Sequence, residues 1–154
     1  MAVVAAASLG GWRLGAARHD AAGRAAVVTG VVDGDTLDVT WAGRRERVRL
    51  LGVDTPETVH PDRPLECFGP EATAFTRRRL LGRRVTLSFD RVRRDAYGRL
   101  LAYVDLDGRP FNDELLDRGF ARLLVIPPNG AHARAMLDLE LAARAAGRGL
   151  WGAC

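Results

Sequence analysis

Thr36-Leu37-Asp38-Val39-Thr40-Trp41-Ala42-Gly43-Arg44-Arg45-Glu46-Arg47-Val48-Arg49-Leu50-Leu51-Gly52-Val53 reads as two β-runs folded about a glycine. Apolar and polar residues alternate on each side of Gly43, the period of a half-buried strand, and Gly43 supplies the turn. Upstream, Ala25 to Val32 is a third short apolar run, closed by the turn signature Asp33-Gly34-Asp35. Downstream, Val85 to Val92 and Leu100 to Leu106 form a later pair around Asp95-Ala96-Tyr97-Gly98. Three strands followed by a pair, with turns between them, predict a small closed or nearly closed barrel.

Helices are marked by their ends. Gly69-Pro70-Glu71 places proline and an acid in a first helical turn, and Gly82 follows Leu81 as a stop. Asn112 is expected to cap a short helix that ends at Gly119, and Asn129 a longer one running through Ala145 to Gly147. In the longer helix, Met136, Leu137 and Leu141 fall on one side at helical spacing and are read as core. The expected organisation is a leader over 1–24, rich in Ala and Gly, and one α+β domain over 25–154.

The 154-residue length suffices for one buried core. All 23 basic side chains are arginine, the net charge is +4 and the pI is near 10.0. Arginine is always charged and its planar fork matches phosphate oxygens, so a polyanionic partner is consistent with this balance, as is a merely solvated basic surface. Met1 to Gly11 is apolar but too short to span a bilayer and has no basic residues before it. It is either a disordered leader or the tail of a secretion signal, and nothing else could cross a membrane. Two cysteines, Cys67 and Cys154, exclude a cysteine-rich zinc site and leave a disulfide or two free thiols as alternatives.

The polar residues that could carry chemistry gather at one sheet end. With a two-residue Gly43-Arg44 turn, Ala42 faces Arg45 and Asp35 faces Gly52, two residues short of Asp54. At about 3.3 Å per residue that offset is roughly 7 Å, so Asp35 and Asp54 share one end of the sheet. Two carboxylates so placed repel unless a cation lies between them, and a hard cation with oxygen ligands fits. Ca²⁺ tolerates such a loose set more readily than Mg²⁺. Glu57 follows across Pro56, which can aim it into the same site. Arg49 leads there along the strand, although its sharing a side with Arg45 and Arg47 suggests a solvated face. Arg99 opens the last strand after the Tyr97-Gly98 turn. A metal polarising a phosphoryl oxygen, a carboxylate taking a water proton and two guanidinium groups are the inventory of a phosphodiesterase. Motifs for zinc proteases, phosphate-binding loops and serine hydrolases are missing, and His19, His60 and His132 are scattered and read as surface or capping residues.

From Val27 to Trp151 the chain resembles the staphylococcal nuclease-like thermonucleases. The resemblance is carried by Val32-Asp33-Gly34-Asp35-Thr36, Val48-Arg49-Leu50-Leu51-Gly52-Val53-Asp54-Thr55-Pro56-Glu57-Thr58, Gly69-Pro70-Glu71-Ala72 and Asp95-Ala96-Tyr97-Gly98-Arg99-Leu100-Leu101-Ala102-Tyr103, in order. It implies a five-stranded OB-type barrel with three helices and Ca²⁺-dependent cleavage of DNA and RNA, leaving 3′-phosphate ends. It further implies Ca²⁺ held by Asp35, Asp54 and the Thr55 carbonyl, the scissile phosphate held by Arg49 and Arg99, and Glu57 as general base. Tyr97 and Arg63 are the implied substrate contacts outside that set. A Cys67–Cys154 bond and a secreted or extracytoplasmic monomer are also implied, with a cytoplasmic location as the alternative. The chain departs from the family pattern at Ala96, where the type species has a lysine, and at Asp62, which replaces a basic residue. Leu123-Leu124-Val125-Ile126-Pro127 lacks two tyrosines that line the base pocket. The rival reading is a non-catalytic OB module that binds nucleic acid by basic grooves and stacking.

Overall fold

In a computed structural model, which describes residues 25–58 and 64–154, the quoted stretch is the hairpin β2 (Thr36–Trp41) and β3 (Arg44–Leu50). Trp41 pairs with Arg44 and Thr36 with Arg49, so the turn is Ala42-Gly43 and the register lies two residues from the one expected. Ala42 and Gly43 both have positive φ, 49° and 75°. That matches the twist of a two-residue hairpin, and its advantage outweighs the cost of a left-handed alanine. Asp35 therefore lies beside Leu50 and not Gly52, yet still at the sheet end that leads to Asp54: the Leu50 amide donates to the Asp35 carbonyl at 2.9 Å.

β1 (Ala25–Val31) runs antiparallel to β2 on one side and to β5 (Arg84–Ser88) on the other. β5 pairs with β6 (Leu100–Leu106), and β6 returns to β3 in parallel, with Val48 opposite Leu100 and Arg49 opposite Leu101. The circuit β3-β2-β1-β5-β6 therefore closes as a five-stranded barrel, which leaves these five strands no open edge. The two-residue β7 (Arg109–Pro110) adds to β6. β4 (Gly52–Asp54) leaves the barrel and pairs with β8 (Arg122–Leu124). β5 is shorter than expected because the amide and carbonyl of Val92 are both bound by the Asn129 side chain, each at 2.8 Å.

Three helices cover the barrel: α1 (Gly69–Leu80), α2 (Phe111–Asp117) and α3 (Ala133–Ala145), with a final turn α4 (Leu150–Ala153). Val28, Leu37, Val39, Val48, Leu87 and Leu100 fill the barrel, and Phe75, Phe111 and Leu115 continue the core beneath α1 and α2. The two asparagines are not caps. Asn112 is buried, taking the Val104 amide at 2.9 Å and donating to the Leu51 carbonyl at 2.7 Å. Both have become internal bridges, because each offers a donor and an acceptor to backbone that no strand satisfies. Along α3 the buried face is Met136, Glu140 and Ala143, while Leu137 and Leu141 are exposed. The polar Glu140 is turned inward because its carboxylate accepts the Leu123 amide at 2.7 Å.

Cys67, just before α1, is bonded to Cys154 across 87 residues. No helix among the described residues is long and apolar enough to cross a membrane. The expected leader over 1–24, His19, His60, Asp62 and Arg63 lie outside the described residues. His132 is exposed at the start of α3, with its ring edge-on to Tyr103 at 4.6 Å.

Candidate active site

The site is assembled by three chain reversals at one mouth of the barrel. The first is the Asp33-Gly34-Asp35 turn between β1 and β2. A Cβ on Gly34 would fall 2.7 Å from Thr55, so only glycine lets this turn approach the loop after β4. The buried Thr76 hydroxyl of α1 donates to the Gly34 carbonyl at 2.7 Å and holds the turn from behind. The second reversal is Gly52, with φ of 75°, which swings β4 out of the barrel. A Cβ there would fall 2.5 Å from the Met136 side chain. The third is the Asp95–Gly98 turn before β6.

Arg49 lies at the centre and is only 8% exposed. Its Nη1 is 2.9 Å from Asp35 Oδ2 and its Nη2 is 2.9 Å from Asp54 Oδ1, so one guanidinium spans both carboxylates. Nη1 also donates to the Val53 carbonyl at 2.8 Å. The solvated face expected for Arg45, Arg47 and Arg49 therefore holds for the first two and fails for Arg49. Past Val48, the Asp33–Asp35 turn and β4 fold over the strand and supply acceptors that make burial of a charge affordable.

Asp35 is buried and nearly saturated. Its Oδ2 accepts the Thr55 amide at 2.8 Å and the Thr55 hydroxyl at 3.2 Å, and its Oδ1 accepts the Thr36 hydroxyl at 3.1 Å. Burial pushes its carboxyl well above the usual carboxylate range against the pull of Arg49 and the Thr55 amide, and the charges of Asp33 and Asp54 push the same way as burial. The Asp54 side chain, by contrast, is half exposed.

Glu57 is half-buried on the loop that leaves β4, and its Oε1 accepts the Thr58 amide at 2.9 Å. This loop packs on the start of α1, where a Cβ on Gly69 would come within 2.7 Å of Thr58 and 3.0 Å of the Pro56 carbonyl. Arg99 donates from Nε to Asp95 Oδ2 at 2.7 Å, and its guanidinium lies over the Tyr97 ring at 5.6 Å. Tyr97 itself is 86% exposed. Burial pushes the Asp95 carboxyl up, but the hydrogen bonds and charge of Arg99 outweigh it and hold the carboxyl below its usual range.

Asp35, Arg49, Asp54 and Thr55 thus meet directly, with Glu57 three residues beyond Asp54 on the same loop. Arg99 and Tyr97 stand at the neighbouring turn. Asp95, Thr76 and the pair Glu46–Arg94 also support the site, although the sequence alone gives them no role there. Arg94 grips both oxygens of Glu46 at 2.9 and 2.8 Å and the Gly98 carbonyl at 2.7 Å, tying the Tyr97 turn to β3. The spacing of Asp95 four residues before Arg99 was the available signal for the first. Nothing local marks the other two, whose partners are 42 and 48 residues away.

Can these residues hold a divalent cation? Two carboxylates that reach a single guanidinium are close enough to share one cation, and all the donors are oxygen, as a hard cation needs. Half exposure of Asp54 leaves a side open to water. Among the described residues no cluster of three acidic, histidine or cysteine side chains exists, so a carbonyl such as that of Thr55 and water would complete the shell. With that completion the set fits.

Comparison with known proteins bears on the same residues. The family model described as staphylococcal nuclease homologue matches residues 47–153, which include Arg49, Asp54, Glu57 and Arg99. A thermonuclease of Staphylococcus intermedius is 47% identical over 110 residues, covering 71% of this chain and 66% of the relative. A thermonuclease of Staphylococcus hyicus is 39% identical over 121 residues, covering 79% and 72%. Endonuclease YncB of Bacillus subtilis (strain 168) is 42% identical over 100 residues, and there the chain spans 47% of the relative's length.

Proposed function

The chain belongs to the staphylococcal nuclease homologue family, and on that premise we propose that it is a calcium-dependent nuclease. It hydrolyses phosphodiester bonds of DNA and RNA and leaves 3′-phosphate ends. The observation that carries this reading is the convergence of Asp35 and Asp54 on the Arg49 guanidinium at the mouth of the barrel.

Asp35, Asp54 and the Thr55 carbonyl would hold Ca²⁺, which when bound would offset charge on the phosphoryl oxygens and order a water. Asp35 brings rigidity, since four donors fix its carboxylate, and Asp54 brings an accessible oxygen. Arg49 directs two nitrogens at whatever anion lies in the site, carboxylates in this structure and a phosphate oxygen in the substrate complex. Arg99, steadied by Asp95, offers the second fork to the same phosphate, where charge grows as the bond to the 5′ oxygen breaks. Glu57 takes the proton of the attacking water. Tyr97 contacts a phosphate beyond the scissile one, with Arg63 as a further cation. The Cys67–Cys154 bond supports a site of action outside the reducing cytoplasm.

The test is a time course on an end-labelled single strand in Ca²⁺ with the product ends mapped. Fragments ending in 3′-phosphate are expected. Fragments ending in 3′-hydroxyl would contradict the bond assignment, and a strand that is bound but never cut would make the chain a binding module.

A further inference from the structure

Of the four arginines of β3, those at positions 45, 47 and 49 share one side of the strand, roughly 7 Å apart along it. Arg49 ends this row inside the site. Arg45 and Arg47 are exposed and line an open cleft of about 400 Å³ with Asp38, Glu46, Tyr97, Gly98 and Arg99. The parallel register of β3 and β6 sets Arg49 beside Leu101, so the same register carried back two residues sets Arg47 beside Arg99. The cleft thus includes Arg99, one of the two arginines proposed to hold the scissile phosphate, and runs beside the strand that carries the other, Arg49.

Its charges are only partly neutralised. Arg47 Nε pairs with Asp38 at 2.9 Å, with more than half of the arginine side chain still exposed. Glu46 is turned to Arg94 by two hydrogen bonds, and Arg99 to Asp95. Arg45 makes no ion pair among the described residues. An exposed tyrosine forms the opposite wall. Such a channel suits a flexible polyanion one strand wide: phosphates can meet guanidinium groups repeated along a β-strand.

We propose that this cleft is a flanking-strand subsite, in which Arg45 and Arg47 bind backbone phosphates of a single-stranded nucleic acid one or more nucleotides from the bond to be cut. Asp38 opposes that binding, because it competes with phosphate for Arg47. The proposal deepens the nuclease reading and rests on it.

The experiment measures binding of a 5′-fluorescein dodecathymidylate by anisotropy across a range of salt, in EGTA, with the strand checked for integrity on a gel. The full chain is compared with the double variant Arg45→Ala/Arg47→Ala and with Asp38→Asn. Loss of two phosphate contacts should weaken binding about tenfold at low salt and lower the log–log salt slope by about 1.4. Asp38→Asn should tighten binding severalfold, a gain that lost folding cannot produce. If the unaltered protein binds the strand in EGTA and cuts it in Ca²⁺ while both variants keep its affinity and slope, the subsite is wrong and the nuclease stands. If the unaltered protein neither binds nor cuts any strand, both readings fall together.

Discussion

Among single residues, the carboxylates at the barrel mouth sit in surroundings that differ and suit them to different work. Asp35 is locked by donors, Asp54 is open on one side, and Glu57 sits on the loop beyond them with Thr58 holding one oxygen. Replacing Glu57 by Gln keeps shape and hydrogen-bond capacity but removes the basic oxygen. The expected result is a fall in kcat of about 100-fold or more with strand affinity nearly unchanged, measured by single-turnover cleavage beside anisotropy. An equal collapse of binding would make Glu57 structural. Asp95 gives a prediction in pH. Its folded carboxyl lies below the unfolded value of about 3.9, so the stability it contributes is present above that pH and is lost as pH falls through the folded value. Asp95→Asn should therefore flatten the fall of Tm between pH 5 and pH 2, and an unaltered acid limb would show that the Arg99 bond contributes nothing. Residue identities at the site were legible in the sequence because polar groups clustered at a strand end have few packing explanations. The burial of Arg49 was not legible, because it depends on what folds over the strand and not on the strand's own alternation.

At the scale of elements, glycines decide how closely the reversals approach. Gly34 faces Thr55 where a Cβ would stand 2.7 Å away, and Thr55 in turn holds Asp35. Gly34→Ala must push the two loops apart, with an expected cost of about 1–3 kcal/mol and a loss of cleavage, read from the urea midpoint and the rate. An unchanged midpoint and rate would show that the loops are not in register as described. Element boundaries followed the sequence closely where glycine or proline set them, as at Pro70, Gly119 and Gly147. They were misread where a side chain took a role that spacing does not reveal. Ala42 was not expected in a left-handed turn, so the hairpin register came out two residues away. Asn112 and Asn129 look like caps in a linear reading, yet each bridges backbone brought together only by the closed barrel. Leu137 and Leu141 lost the buried face of α3 to Glu140, because β8 needed an acceptor for Leu123.

At the scale of the whole molecule, the barrel mouth, β4 and the start of α1 form one frame around the acids, and the Cys67–Cys154 bond closes that frame from the C-terminus. Closing a loop of this length is worth about 4–5 kcal/mol in the chain-entropy model. The double variant Cys67→Ser/Cys154→Ser should unfold at a clearly lower guanidinium concentration, and a midpoint unchanged from the intact protein would remove the bond from the account. The overall architecture was foreseeable because alternating strands in the order three then two have few ways to close. The pairing of β4 with β8 was not, since each is three residues long. Whether Asp35 and Asp54 serve a calcium-dependent cleavage is decided by the rate of cutting a defined single strand in Ca²⁺, after excess EGTA, and after Ca²⁺ is restored. The rate should drop to background in EGTA and return with calcium; undiminished cutting in the chelator would contradict that role.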